Sequence, residues 1–293
     1  MSSPGGKGQN TLPPGTSLLG LKAFLASLSL LFISTLCVYW IVRGQAEFWS
    51  AGLPGIPNGL WVSSGILAFL SLTSELAARA LGAGKQTQFR RLFGISFILA
   101  LAFVCSQLLT WRDLSNAHLS PKAKSLYAFS LYMLTGLHAL HVAGGLVWQG
   151  MALRKFVKGE GGFETARNTA TYWHFLSLCW ILLFGSLILG SNPNLTGDQI
   201  LRSCWYLCGF GIVMFIACWI KAIIAIAKHE GGTFAALAII PMVAYLRAFM
   251  AADEMRMRRT LLWWAVWFGF ILATLCIGIS IRFAPENQTG NLF

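Results

Sequence analysis

Long apolar runs follow one another along this chain, separated by short polar breaks. Seven of them reach the roughly 20 residues that a helix needs to cross a hydrocarbon core. They predict helices over 17–42, 60–81, 92–111, 125–153, 171–190, 203–227 and 261–281. A polar linker, SNPNLTGDQ, begins at Ser191 and sets the last two apart from the first five. An eighth apolar run, 234–246, is short and broken by Pro241. A run of that length predicts a re-entrant or interfacial segment rather than a span. Residues 1–16 are rich in Gly, Pro and Ser and lack an apolar core, which predicts a disordered tail and no cleavable signal peptide. The expected fold is an all-α, polytopic transmembrane helix bundle: a five-helix block over 17–190 and a C-terminal extension over 191–293 holding two spans.

Composition excludes the soluble alternative. Hydrophobic residues make up 56% of the chain and charged residues 11%, with a mean hydropathy of +0.64. Soluble domains carry about 25% charged residues. The net charge of +12 invites a nucleic-acid reading, yet the basic residues sit in short loops and form no continuous patch. No nucleic-acid partner is expected.

Those loops instead orient the chain, because Lys and Arg accumulate on the cytoplasmic side. With a cytoplasmic N-terminus and a non-crossing 234–246 segment, 16 basic residues fall inside and six outside. If that segment crossed, the division would be 13 against nine. Seven spans, N-terminus in and C-terminus out, are predicted. Trp40, Trp49, Trp61, Trp111, Trp173 and Trp205 fall near predicted helix ends, where an amphipathic ring prefers the headgroup layer.

The seven cysteines lie within apolar stretches and read as buried free thiols. Cys204 and Cys208 share a helix face, but no second pair accompanies them, so no zinc site is expected.

Ionisable groups inside spans are costly and draw attention for that reason. Glu75 and Arg79 are four apart on one face of the second helix, the spacing of a structural ion pair. His138 and His141 are three apart on the fourth helix, and His174 opens the predicted fifth. Three imidazoles on neighbouring helices could ligate a haem or a metal. The spacing fits histidines hydrogen-bonded across a helix interface better, since no carboxylate accompanies them to orient the rings. Gly136, Gly144 and Gly145 beside them suit close helix approach. No phosphate-binding loop, CxxCH motif or His/Glu metal helix occurs elsewhere.

TGLHALHVAGGL, from Thr135 to Leu146, resembles the TG-x-H-x-LHV-x-x-G signature of cytochrome c oxidase subunit III. YWHFLSLCWILLF, from Tyr172, is similar to that family's YWHF-x-D-x-VW-x-x-LF, and GFE at Gly162–Glu164 to its GFE, with a longer spacer here. GLKAFLASLSLLF from Gly20 and IPNGLWVSSGILAFLSLTSELA from Ile56 resemble its first two helices in the short, five-helix bacterial form. Gln107 and Trp111 fit the third. Two positions depart from the pattern. Leu28 stands where the family usually has a glutamate, and Ser177 replaces the aspartate after YWHF. Both losses also fit a divergent branch associated with nitric oxide reductases.

The resemblance implies a non-catalytic subunit of a haem–copper oxidase in the bacterial inner membrane. Haems and copper would be held by partner subunits I and II, and this chain would bind none. Structural phospholipids would lie in a cleft between two bundles, helices 1 and 2 against helices 3–5. His138, His141, Trp173, His174, Glu75 and Arg79 would make lipid or subunit-interface contacts. The alternatives are an accessory protein of nitric oxide reduction, a small-molecule transporter, and a haem-binding membrane enzyme. The transporter reading lacks the expected internal repeat.

Overall fold

The computed structural model describes residues 16–46, 49, 55–116, 125–159, 161–192, 194–230, 240–250 and 258–283. Among them are eight α-helices: α1 (Thr16–Gln45), α2 (Asn58–Gly82), α3 (Gln86–Asn116), α4 (Leu126–Val157), α5 (Phe163–Gly190), α6 (Gly197–Glu230), α7 (Pro241–Met250) and α8 (Arg258–Arg282). All but α7 are long and apolar enough to cross a membrane, which matches the seven expected spans. The chain is an all-α, multi-pass membrane protein.

Several boundaries, among them the starts of α3, α5 and α6, differ from expectation for one reason. Hydropathy marks only the lipid-facing stretch, while the helices run on into polar sequence. α3 begins at Gln86 rather than near 92, and α5 at Phe163 rather than near 171. The added turn of α5 carries Glu164, favourably placed at a helix N-terminus. The early start moves Trp173 roughly three turns into α5. It is fully buried there, not in a headgroup belt. α7, at ten residues, is about 15 Å long, half the thickness of a hydrocarbon core. Residues 234–239 of the short segment and 1–15 of the predicted N-terminal tail (1–16) lie outside the described residues, and Thr16, the last residue of that tail, opens α1.

The helices fall into two compact units. The first takes in α1 to Thr35 and α2–α5. α2 and α3 form a tight antiparallel pair, joined by a turn in which Gly84 adopts φ +74°. Gly84 N donates to Leu81 O and Lys85 N to Ala80 O, the paired bonds of a Schellman cap. Gly159, at φ +75°, ends α4 in the same left-handed conformation. α2 also packs on α5, and no comparable face joins α1 to α2 among the described residues. This corrects the expected pairing of helices 1 and 2 as a separate bundle. The three-residue α2–α3 turn ties α2 to α3, whereas a much longer connection follows α1.

Small residues set the helix spacing in this unit. Ala77, Ala78 and Ala80 of α2 admit Phe89 and Phe93 of α3, with Ala166 and Ala170 of α5 alongside. Gly59 of α2 lies against the Thr110 hydroxyl. Of the glycines singled out on α4, Gly145 faces the Tyr172 and Trp173 rings and Gly136 lies beside Trp111, whereas nothing lies close to Gly144. Without a hydrophobic force between helices in lipid, such close packing carries the association.

The second unit comprises the last turns of α1 with α6, α7 and α8. Cys218, Ala222 and Ile226 of α6 pack with Ala244 of α7 and Leu261 and Trp264 of α8. At its other end Ile200, Cys204 and Ile277 enclose a cluster reached by Cys37, Trp40 and Ile41. Arg43 is 2% exposed, donates to the carbonyls of Asn192 and Leu195 at 2.9 and 2.7 Å, and lies over the Trp49 ring. The cysteines are all free; Cys105 and Cys276 are exposed, the others buried or half-buried.

Candidate functional site: a polar cluster on α2 and α5

Helical spacing puts Ser71, Glu75 and Arg79 on one face of α2, and the α2–α5 packing brings His174 to them. Arg79 Nε donates to Glu75 Oε1 at 2.7 Å. His174 Nε2 lies 3.2 Å from Glu75 Oε2, and His174 Nδ1 lies 2.6 Å from Ser71 Oγ. A neutral imidazole protonated at Nε2 satisfies both contacts: Nε2–H donates to the carboxylate and Nδ1 accepts the serine proton. Both Glu75 oxygens and both ring nitrogens are therefore engaged. The Glu75 side chain is 28% exposed, that of His174 45% and that of Arg79 73%. Glu75 lies seven residues before the end of α2, about 10 Å along the axis. The cluster thus opens on the flank of a membrane-spanning helix.

The ion pair was legible from the Glu75–Arg79 spacing. Its extension to His174 and Ser71 was not, because those contacts join residues about a hundred positions apart.

The other candidates lie elsewhere. His138 is fully buried, with the rings of Trp180, Phe103 and Phe32 centred 4.9, 5.6 and 6.1 Å away. Among the described residues neither of its ring nitrogens has a hydrogen-bond partner. His141 Nδ1 donates to the Leu137 carbonyl at 2.7 Å, and its ring lies 5.1 Å from Phe32. His138 and His141 share Phe32 as a ring neighbour while His174 pairs with Glu75 and Ser71, so the three-histidine ligand set considered from spacing is not assembled among the described residues. Among the described residues no three His, Cys, Asp or Glu side chains gather as a metal site would require. Trp173 is interior too, donating through Nε1 to Gln149 Oε1 at 3.0 Å.

Gln149 was not singled out in the sequence. Its amide nitrogen donates to Ser96 Oγ at 2.7 Å and to the Phe93 carbonyl at 3.2 Å, so one side chain ties α3, α4 and α5 together. A glutamine in the middle of an apolar run was the available signal, since a buried amide must find partners. Leu28 and Ser177, at the two departures from the family pattern, are both interior. Leu28 is 6% exposed, and Ser177 is half-buried, its Oγ enclosed without a partner among the described residues.

Fold and site define a multi-pass helical membrane protein whose interior polar groups brace helices and whose Glu75–Arg79–His174 cluster is partly exposed on the flank of α2 and α5. The model of the cytochrome c oxidase subunit III family matches residues 8–191, and the chain belongs to that family. It is 30% identical over 181 residues to the probable cytochrome c oxidase subunit 3 of Mycobacterium tuberculosis, covering 58% of this chain and 86% of the relative. It is 27% identical over 177 residues to the cytochrome bo(3) ubiquinol oxidase subunit 3 of Pseudomonas aeruginosa, covering 58% and 83%. The cytochrome c oxidase subunit 3 of Synechocystis is 27% identical over 180 residues, covering 58% and 74%. As a subunit III, the chain is one component of a multi-subunit oxidase.

Proposed function

We propose that this chain is the non-catalytic subunit III of a bacterial haem–copper terminal oxidase, seated against subunit I through the α2–α5 flank that carries Ser71, Glu75, Arg79 and His174. The single observation that carries the seat is that cluster. Ionisable side chains on the flank of a spanning helix are costly when they face lipid, and they become favourable when a protein neighbour covers them. The family match and the oxidase relatives support the choice of partner. In this reading haems and copper belong to subunits I and II, and this chain contributes assembly, lipid retention and support of proton uptake. The expected location is the inner membrane, with the N-terminus cytoplasmic. No carboxylate stands at Leu28 or Ser177, so any support of proton uptake works through the fit to subunit I rather than through an acid at those positions.

Affinity purification of the tagged chain in mild detergent tests the proposal. Wild type is expected to bring down a haem-bearing subunit I, and the Glu75→Gln/His174→Ala double variant to bring down several-fold less. The chain purified alone is expected to show no Soret band. Recovery of no haem–copper subunit I, or a Soret band on the isolated chain, would sink the reading. Oxygen against nitric oxide consumption by the recovered complex decides between the two classes of reductase partner.

A further inference from the structure

A groove runs between the beginning of α3 and the end of α4, away from the α2–α5 cluster. Its volume is about 250 Å³, and it is lined by Phe89, Arg90, Phe93, Leu153, Phe156 and Val157. The Phe89 and Phe156 rings are 4.6 Å apart and the Phe93 and Phe156 rings 5.4 Å, so three aromatic rings in mutual contact make a firm apolar floor. Phe89 and Phe93 are each 2% exposed, held from behind by the alanines of α2 and α5. The rim is open: Val157 is 80% exposed, and Arg90 is exposed on the other side.

The surroundings of this groove are strongly basic. The Phe89–Phe156 contact brings the first turns of α3 level with the last turns of α4. Arg90 and Arg91 on α3, Arg154 and Lys155 on α4 and Lys158 just beyond are all exposed at that level. The ion pairs Glu75–Arg79, Glu75–His174 and Asp198–Arg202 lie on α2, α5 and α6. An apolar trough lined by Arg90, with four more cations at the same level of the two spanning helices, matches one kind of molecule. It has an anionic head at headgroup depth and a hydrocarbon tail running along the helices.

We infer that the α3–α4 groove is a binding site for an anionic phospholipid. One acyl chain lies on Phe89, Phe93 and Phe156, and the phosphate is held by Arg90 and its basic neighbours. Arg90 is the residue that discriminates, because it is both a lining residue and a bidentate phosphate donor. The site lies between α3 and α4 and shares no lining residue with the Ser71–Glu75–Arg79–His174 cluster. It stands independently of the oxidase assignment, since its readout needs no partner subunit.

The test uses the purified full chain, delipidated and reconstituted in nanodiscs of phosphatidylcholine with and without phosphatidylglycerol, with retained lipid counted by native mass spectrometry. Phosphatidylglycerol should be retained in preference to phosphatidylcholine. Arg90→Gln should lower that retention about fivefold, as expected for loss of one cation near an anionic headgroup. Arg90→Lys, which keeps the charge but loses the paired donors, should fall between wild type and Arg90→Gln, and Val157→Trp, which fills the rim, should lower retention too. Arg202→Gln, an exposed cation on α6, should leave it unchanged, and the thermal unfolding of all variants checks that each is folded. Equal retention of the two lipids, or equal loss in Arg90→Gln and Arg202→Gln, would overturn the inference. So would a protein–protein cross-link from Val157→Cys within the assembled complex, because a partner chain would then occupy the groove.

Discussion

Replacing Gln149 by Leu tests whether the buried amide braces the α3–α4–α5 interface. Gln149, Trp173 and Ser96 are all fully buried, so no water replaces a lost partner. The substitution deletes three hydrogen bonds, but their losses are unequal. Ser96 Oγ still donates to the Phe93 carbonyl at 2.8 Å, so both remain satisfied. The Trp173 indole N–H, which donates to Gln149 Oε1 at 3.0 Å, is stranded. Leaving one buried donor unpaired costs about 1–3 kcal/mol, and the leucine gains little from burial because lipid is as apolar as the helix interface. Gln149→Leu should therefore destabilise by about 2 kcal/mol. Equilibrium unfolding of the chain in mixed micelles, followed by far-UV circular dichroism, reads the change. A double-mutant cycle supplies the control. Trp173→Phe removes the stranded donor, so the pair should couple by about 1–2 kcal/mol and the double variant should be less destabilised than the sum of the singles. Additive effects, or a Gln149→Leu variant within about 0.5 kcal/mol of wild type, would refute the bracing role.

Two other positions give shorter tests by the same assay. His138→Phe should fall within about 1 kcal/mol of wild type, because an apolar ring replaces nitrogens that have no partner. His138→Ala should cost about 2–4 kcal/mol through the cavity left among Phe103, Trp180 and Phe32, without altering a co-purified partner's haem spectrum. Equal costs for the two would show that the imidazole nitrogens do have partners. Gly145→Ala should cost about 1–3 kcal/mol, since the new Cβ would meet the Tyr172 ring at 2.6 Å and the Trp173 ring at 3.0 Å. Neither ring can swing clear, because Tyr172 Oη donates to the His141 carbonyl and Trp173 to Gln149. A neutral Gly144→Ala alongside it completes the comparison.

The spans were legible because lipid imposes one coarse rule, some 20 apolar residues in a row, and this chain obeys it seven times. The extra turns of α3 and α5 were not, since QTQFRR and FETARN carry no apolar signal and their helicity depends on the apolar turns that continue each helix. Glu75 and Arg79 were legible as a pair through local spacing. His174 joining them depends on how α2 packs on α5, which no local spacing encodes. Trp173 shows the same limit from the other side. Its place near an apparent helix start suggested a headgroup contact, yet the longer α5 and the partner at Gln149 put it in the interior. Its fate rested on a glutamine 24 positions away.

The polar groups of the five-helix unit divide by what satisfies them. Gln149, Ser96, Trp173, Thr135 and Trp111 find all the partners named for them inside the bundle, so removing one member strands another and the cost appears as lost stability. Glu75 and His174 also pair with each other, yet they remain partly open on the flank of spanning helices, where such charge is expensive. A chain that needed this pair only for stability could replace it with apolar residues at little cost, because an ion pair seldom outperforms well-packed hydrophobic side chains. What apolar residues cannot supply is a directional polar contact to a neighbouring protein. Loss of Glu75 and His174 should therefore register in the yield of complex and hardly at all in the unfolding of the isolated chain. Loss of Gln149 should do the reverse. Measuring both variants by both assays separates the two kinds of polar group, and the separation would fail if either variant moved both readouts together.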